Sequence, residues 1–136
     1  MRCYFSHPIQ GKKGKDATRE DMDANNQRAI SAANQFRSAF LEIDVYVPAE
    51  HDEFVIEAYI QGSLTVEQIL EADKAIVRKC DFLVAYMPED YLSGGMIKEV
   101  IEAVDNRIQV FFWVGSRGLL ETIRQVTFWL KEKQNV

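Results

Sequence analysis

The sequence predicts a single-domain α/β protein in which helices cover both faces of a parallel β-sheet. Short apolar runs alternate with longer segments of helical periodicity along the chain. The run FLVAY at residues 82–86 is continuously apolar, as in a central parallel strand buried on both faces. The length of 136 residues suits one domain with a real core but not two domains. The prediction is therefore one domain over residues 1–136.

The first half of the chain predicts a strand, a long loop, a helix and a second strand. Residues 2–5 form the first strand. Residues 6–20 are polar and contain glycine, which is typical of a loop, and the lysines at 12–15 favour a solvated loop over a phosphate clamp. Residues 21–40 place apolar side chains at mostly helical spacing. The second strand covers residues 43–47 and ends at a proline.

The second half continues the alternation after one ambiguous segment. Within residues 49–63, the stretch 54–60 is compatible with a short helix or an irregular loop. Thr65 and Gln68 have the spacing of a capping box, which starts a helix that runs to about residue 79. The remaining predicted elements, in chain order, are strand 82–86, helix 96–105, a second buried strand at 108–114 and helix 119–131.

The predicted order is β-α-β-α-β-α-β-α, which indicates a doubly wound sheet of the flavodoxin- or Rossmann-like kind. Ligands of such sheets bind outside the carboxyl ends of the strands, where the strand order reverses. We therefore expect the loops after residues 5, 47 and 86 to meet around a ligand. Tyr4, Tyr86 and Phe112 are predicted to lie in the core.

Composition and charge exclude several classes of function. The net charge of −5 and the pI near 5.1 disfavour a nucleic-acid polymer as partner, because such binding needs a basic surface. The spacing of Cys3, Cys80, His7 and His51 predicts neither a metal site nor a disulfide. No cofactor is predicted. No apolar run approaches the roughly 20 residues of a membrane span, and no signal peptide is visible. We expect a cytoplasmic protein with no membrane partner.

The segment Ser93-Gly94-Gly95-Met96 predicts a binding site for an anion. It follows a predicted buried strand and opens a helix, so the N–H groups of the first helical turn have no partner within the helix. Ser93 either caps that helix or offers its hydroxyl to a phosphate, and the two roles are compatible. A carboxylate, Glu99, follows within two helical turns. The combination indicates a reaction site for a small, phosphorylated molecule.

Two carboxylates are the candidate catalytic residues. The helix that begins after Thr65 has an apolar stripe that is predicted to face the sheet, and Asp73 interrupts it. An ionised group is costly there unless it is paired or open to a ligand. Asp73 therefore either caps a nearby loop from a buried position or belongs to the site. Glu99 lies at the edge of the apolar face of its helix, and it either complements the helix N-terminus or acts in catalysis. The residues alone leave both alternatives open.

With these residues in place, the chain resembles the nucleoside 2-deoxyribosyltransferase superfamily, which includes nucleoside 5′-monophosphate N-glycosidases and uncharacterised relatives. The similarity covers residues 1 to about 114 in element order. It is sharpest in three segments, which are Glu71-Ala72-Asp73, Cys80-Asp81-Phe82-Leu83-Val84-Ala85 and Ser93-Gly94-Gly95-Met96-Ile97-Lys98-Glu99. The segment Tyr4-Phe5-Ser6-His7-Pro8-Ile9 is similar to the first strand and substrate loop of the family.

The resemblance implies roles for individual residues. It implies that Glu99 is the nucleophile that attacks C1′ of a (deoxy)ribose, and that Asp73 assists the leaving base or positions the nucleophile. Ser93 falls where deoxyribosyltransferases carry an aspartate facing a 5′-hydroxyl and monophosphate hydrolases carry a serine facing a 5′-phosphate. A monophosphate substrate is therefore favoured. The residues implied to bind substrate or phosphate are Ser93, Gly94, Gly95, Met96, Tyr4, Ser6, His7, Pro8 and Ile9.

The resemblance also implies partners. A nucleotide or nucleoside is the expected small-molecule partner, and a homodimer or higher homo-oligomer is the expected assembly. The predicted C-terminal helix, with Phe128 and Trp129, is one candidate interface, and core packing is the alternative explanation of these two side chains.

Three functions follow in order of preference. The first is cleavage of an N-glycosidic bond, by hydrolysis or by transfer of the sugar to another base. The second is a non-catalytic module that binds or senses a nucleotide on the same fold. The third is an NAD-cleaving protein of the Toll/interleukin-receptor type, which is least favoured because its local motifs are missing.

The chain departs from the pattern of the nucleoside 2-deoxyribosyltransferase superfamily at two places. Ile101 lies where the enzymes of that superfamily often have glycine, and His7-Pro8 replaces their frequent Gly-Pro. Both features resemble the uncharacterised relatives.

Overall fold

The computed structural model describes residues 1–115 and 118–135. Within them, four strands form one parallel sheet in the order β2-β1-β3-β4. The strands are β1 Arg2–Ser6, β2 Asp44–Tyr46, β3 Phe82–Met87 and β4 Gln109–Val114. The helices are α1 Arg19–Ala39, α2 Asp52–Ile60, α3 Val66–Arg78, α4 Gly94–Asp105 and α5 Gly118–Gln134, and two short 3-10 turns cover Gly11–Asp16 and Pro48–His51.

Helices cover both faces of this sheet. Side chains alternate between the faces along a strand, so Cys3 and Phe5 of β1 point to one face and Tyr4 to the other. Cys3 and Phe5 pack in a core with residues of α1 and α5. Tyr4 packs in a second core with residues of α3 and α4. The predicted doubly wound, single-sheet α/β fold is therefore confirmed.

Side-chain caps determine where three helices begin. Thr18 and Asp21 form a capping box, so α1 starts before the predicted residue 21. The predicted capping box of Thr65 and Gln68 is confirmed at the start of α3. Ser93 caps α4 through a hydrogen bond from the backbone N–H of Met96 at 3.4 Å.

The ambiguous segment forms a helix, α2, so two helices separate β2 from β3. Asp52 and Glu53 lie in its first turn, where carboxylates stabilise a helix N-terminus. None of its nine residues is buried, and Phe54 and Ile60 are 75% and 69% exposed. A short apolar stretch that packs against little else carries no clear periodicity, which explains the ambiguity in the sequence.

The prediction that residues 108–114 form a buried strand is wrong for one of the two faces of the strand. β4 lies at the edge of the sheet, where Phe111 and Trp113 are buried. Phe112 and Val114 point to the other face and are 45% and 47% exposed, because α4 covers that face only in part. The prediction of a core position for Phe112 is corrected for the same reason, whereas Tyr4 and Tyr86 are buried as predicted.

The C-terminal helix contributes to the core through one of its two aromatic residues. Trp129 packs edge-on against Phe82 and Phe111, with ring centroids 5.2 and 5.8 Å apart. Phe128 points away and is 64% exposed. Among the described residues, no helix has the length and apolar character needed to cross a membrane.

Candidate functional site

A cavity of about 500 Å³ opens at the carboxyl ends of β1, β2 and β3. The loop after β1 contributes His7, the loop after β2 contributes Pro48, and the loop after β3 contributes Ser93. The neighbours β1 and β3 are the point where the strand order reverses, so the predicted meeting of three loops is confirmed. The volume lies within the range of small-molecule sites, roughly 300–1,000 Å³.

Glu99 forms part of the cavity wall, and both of its carboxylate oxygens accept hydrogen bonds from β1. Tyr4 donates its phenolic O–H to Oε2. Ser6 donates its hydroxyl to Oε1 at 2.7 Å. Tyr4 and Ser6 are two positions apart on β1 and so share the face that α4 covers. The helical residue is thus fixed by the strand beneath it.

Burial sets the protonation behaviour of Glu99. The side chain is 8% exposed. Loss of solvation raises the pKa of Glu99 to about 7, although the hydrogen bonds from Tyr4 and Ser6 act in the opposite direction and Asp73 adds a smaller increase. The pKa of the Tyr4 phenol is raised well above its ordinary value by burial and by the facing carboxylates. Tyr4 therefore stays protonated and acts as a donor.

Asp73 lies on α3 and lines the same cavity as Glu99. Partial burial raises the pKa of Asp73 to about 6. The structure therefore places Asp73 in the cavity wall, the position that the site interpretation requires. Its helical neighbours Val66, Ile69 and Leu70 also line the cavity, although the sequence pattern predicted that this stripe faces the sheet.

The start of α4 forms part of the cavity wall. Ser93, Gly94, Gly95 and Met96 all line the cavity. A Cβ atom added at Gly94 or Gly95 would meet no heavy atom within 4 Å, so packing does not explain the two glycines. An anion in the cavity can approach the helix N-terminus closely at this point.

His7 is held by backbone groups on both sides of its ring. The backbone N–H of Ala49 donates to Nε2 at 3.1 Å, so Nε2 accepts and the proton lies on Nδ1, which is 3.2 Å from the carbonyl oxygen of Pro8. Burial lowers the pKa of His7 to about 4. The neutral imidazole therefore connects the loops after β1 and β2 and has no free nitrogen to offer a substrate.

The other residues predicted from the N-terminal segment take different positions. Ile9 lines the cavity and is 39% exposed. Tyr4, Ser6 and Pro8 are buried and do not line it, and the first two contact Glu99 instead. Of the predicted N-terminal set, His7 and Ile9 face the cavity.

Two of the three lysines in the loop after β1 form ion pairs within the chain. Lys13 pairs with Asp21 at 3.1 Å, and Lys12 lies 3.9 Å from Glu89 and over the ring of Tyr91. This geometry agrees with the interpretation as a solvated loop. Among residues 1–115 and 118–135, no group of three or more His, Cys, Asp or Glu side chains is arranged to hold a metal ion.

Sequence reasoning missed the hydrogen bonds that join β1 to Glu99. It assigned Tyr4 and Ser6 to substrate binding, and it placed Glu99 at the edge of the apolar face of its helix. The available signal was the i, i+2 spacing of two hydroxyl-bearing residues on a strand next to the predicted site. Lys98 is exposed and lies at the rim of the cavity.

Comparison with known proteins supports the fold and nothing finer. No protein-family model matches the sequence, and no curated protein matches it. A solved structure, the "Crystal structure of conserved protein from Enterococcus faecalis V583", is similar with a TM-score of 0.56 and 20% identity. The similarity covers 82% of this chain and 62% of that chain, so the present chain spans less than two thirds of that protein. At this identity the likeness shows the α/β fold alone.

Proposed function

We propose that the protein cleaves the N-glycosidic bond of a nucleoside 5′-monophosphate or nucleoside, with Glu99 as the nucleophile. The observation that carries this proposal is a carboxylate in a cavity wall whose two oxygens are held by Tyr4 and Ser6. A carboxylate oxygen has two lone pairs, so it can accept one hydrogen bond and still attack a carbon atom. A held carboxylate matches the needs of a reaction through an oxocarbenium-like transition state.

The reaction proceeds in two displacements. An oxygen of Glu99 bonds to C1′ while the C1′–N bond breaks, and the electron pair of that bond leaves with the base. Asp73, in its protonated form, donates a proton to the departing base. Water then attacks C1′, Asp73 accepts its proton, and Glu99 is released as a carboxylate. If a second base replaces water, the same intermediate leads to sugar transfer.

The cavity has complementary regions for the parts of a nucleotide. The start of α4 with Ser93 suits a 5′-phosphate, because N–H groups and a hydroxyl stabilise its charge. Val66, Ile69 and Leu70 form an apolar wall for the base. The proposed chemistry needs no cofactor, and a homo-oligomer is the proposed assembly.

Release of free base tests the proposal. The purified protein is incubated with a panel of ribo- and deoxyribonucleoside 5′-monophosphates and nucleosides, and the products are separated by HPLC. We expect the wild type to release a base and Glu99→Gln to release none. Glu71→Gln on exposed α3 surface is the matched control and should keep wild-type turnover. Full turnover in Glu99→Gln would remove Glu99 as nucleophile.

A second candidate is a module that binds a nucleotide without cleaving it. The raised pKa of Glu99, about 7, favours it, because a substantial fraction of the carboxyl is protonated at neutral pH and donates a hydrogen bond instead of attacking. In this case a monophosphate raises the melting temperature of the wild type and no base is released. Both outcomes can be read from the same panel.

A further inference from the structure

An apolar patch lies on the outer side of α4 and the adjoining face of β4. The α4–β4 patch consists of five side chains that are 43% to 61% exposed, namely Ile97, Ile101, Val104, Phe112 and Val114. The α4 members are four and three positions apart and so form one stripe. Together they expose an apolar surface on the order of a few hundred Å², a size that marks interaction sites in many proteins.

The two parts of the patch are neighbours in the fold. Val100 of α4 and Val110 of β4 pack against the same buried cluster. Val104 and Val110 line one surface groove. Phe112 follows Val110 at the strand period of two, so it continues the same face toward the carboxyl end of β4. The stripe and the strand therefore present one surface at the open edge of the sheet.

Two opposite charges border the stripe on one side. Lys98 and Asp105 are seven positions apart, so they lie above one another on the helix surface. Both are exposed, and neither forms an ion pair with another residue in the described part of the chain. Glu102, by contrast, is paired with Arg78 of α3 at 2.6 Å.

We propose that two copies of the chain pair through the α4–β4 patch, with their α4 helices antiparallel and in contact near Ile101. Ile97 of one copy then meets Val104 of the other, and Ile101 meets its own equivalent. Lys98 precedes Ile101 by three positions, and Asp105 follows it by four. Because the two helices run in opposite directions, Lys98 of one copy and the second copy's Asp105 lie only about 1.5 Å apart along the helix axis. The two-fold axis keeps both on the same side of the interface, and the ion pair forms twice.

The pattern fits a second copy because the patch is complementary to itself in both apolar groups and charge. Helix α2 provides the contrast. It also exposes apolar side chains, but it carries Asp52, Glu53 and Glu57 and no basic residue. Two α2 helices packed together would bring six carboxylates close with no compensating cation, which disfavours self-association there.

The pairing has a consequence for the cavity. Lys98 lines the cavity at the start of α4. An ion pair with the second copy's Asp105 would hold the Lys98 side chain next to the N-terminal turn, where it adds positive charge for an anionic ligand. This inference supplies the surface for the homo-oligomer proposed above, and it does not depend on N-glycosidase activity.

Sedimentation of the full chain at micromolar concentration tests the interface. We expect the wild type to sediment as a dimer of the 15.7 kDa chain, and Ile101→Asp to sediment as a monomer. The matched control, Phe54→Asp, places the same charge on exposed α2 and should remain dimeric. Circular dichroism of each variant shows whether it is folded. A monomeric wild type, or a dimer that Phe54→Asp dissociates and Ile101→Asp does not, would overturn the proposal.

A charge exchange provides a second test that leaves the apolar patch intact. Lys98→Asp and Asp105→Lys should each raise the dimer dissociation constant, by about tenfold for the loss of two ion pairs and the gain of two repulsive ones. The double variant Lys98→Asp/Asp105→Lys should restore it. Failure of the double variant to recover affinity would refute the antiparallel arrangement. A dimer that shows this recovery and releases no base would support the interface while the proposed activity fails.

Discussion

Ser6 donates a hydrogen bond of 2.7 Å to Oε1 of Glu99, although 93 positions separate the two residues in the sequence. The contact joins the last residue of β1 to the buried side of α4. A donor to a carboxylate stabilises the ionised form, so Ser6 lowers the pKa of Glu99 against the opposing effect of burial. The relationship assigns Ser6 a positioning role that can be measured.

Replacing Ser6 by alanine should therefore change the pH dependence of the proposed activity. The nucleophile must be ionised, and loss of the donor raises the pKa of Glu99. We expect the acidic limb of kcat/KM in Ser6→Ala to move to higher pH, with activity below that limb reduced by about tenfold. Activity on the alkaline plateau should change much less. A uniform loss at every pH would argue that Ser6 only supports packing.

The stability of Glu99→Gln should differ from that of the wild type in a pH-dependent way. The pKa of Glu99 is about 7 in the folded protein, compared with an ordinary value of 4.5, so the folded state binds the proton more tightly. Its contribution to stability is complete below pH 4.5 and is lost as the pH rises through 7. We expect the free energy of unfolding of the wild type, relative to Glu99→Gln, to fall by up to roughly 3 kcal/mol across this window.

Denaturant unfolding of both proteins between pH 4 and 8 gives this difference. The free energy of unfolding of Glu99→Gln should increase relative to that of the wild type as the pH rises, although the variant should lose the proposed activity. A constant difference at all pH values would mean that Glu99 does not titrate in this range.

His7 should produce the opposite trend. Its pKa is lowered to about 4 in the folded protein from 6.5, because the buried imidazole is desolvated. The stability that depends on neutral His7 is present above pH 6.5 and is lost as the pH falls toward 4. In His7→Gln the amide oxygen can still accept from the Ala49 N–H, but the side chain does not titrate. We expect this variant to lose less stability than the wild type between pH 6.5 and 4, as measured by thermal unfolding.

The choice between a phosphate and a hydroxyl should depend on Ser93. An aspartate at this position places a negative charge beside the N–H groups at the start of α4, where it competes with a phosphate. We expect Ser93→Asp to weaken binding of a nucleoside 5′-monophosphate by tenfold or more and to change nucleoside binding far less. Calorimetric titration with each ligand measures both values. Ser93→Ala removes the hydroxyl and the helix cap without adding a charge, so it separates these losses from the effect of the carboxylate.

Most of the fold could be predicted from the sequence, because strong local signals mark its elements. The capping box at Thr65 and the continuous apolar run of β3 depend only on neighbouring residues. The position of a strand in the sheet depends instead on contacts with residues that are distant in the sequence. The alternation in β4 between buried Trp113 and exposed Phe112 follows from its place at the edge, and both side chains look like core residues in the sequence.

The candidate site could be predicted only in outline. Asp73, Ser93 and Glu99 were identified because charged or hydroxyl groups stood in apolar or glycine-rich surroundings, and the structure brings them to one cavity. The environment of each group could not be predicted. The hydrogen bonds of Glu99 and the fixed tautomer of His7 arise from contacts between strands and loops that are distant in sequence.

The position of β1 between β2 and β3 also governs how the protein can form during synthesis. β1 is synthesised before both of its neighbours, and β3, the neighbour that completes its hydrogen bonding, ends only at Met87. The carboxylate that accepts from Tyr4 and Ser6 is translated later still, at position 99. Pairing across such long loops is slow compared with local folding. One edge of β1 can pair with β2 early, but its other edge stays unpaired until β3 has been synthesised. The hydrogen bonds that hold Glu99 form only after that.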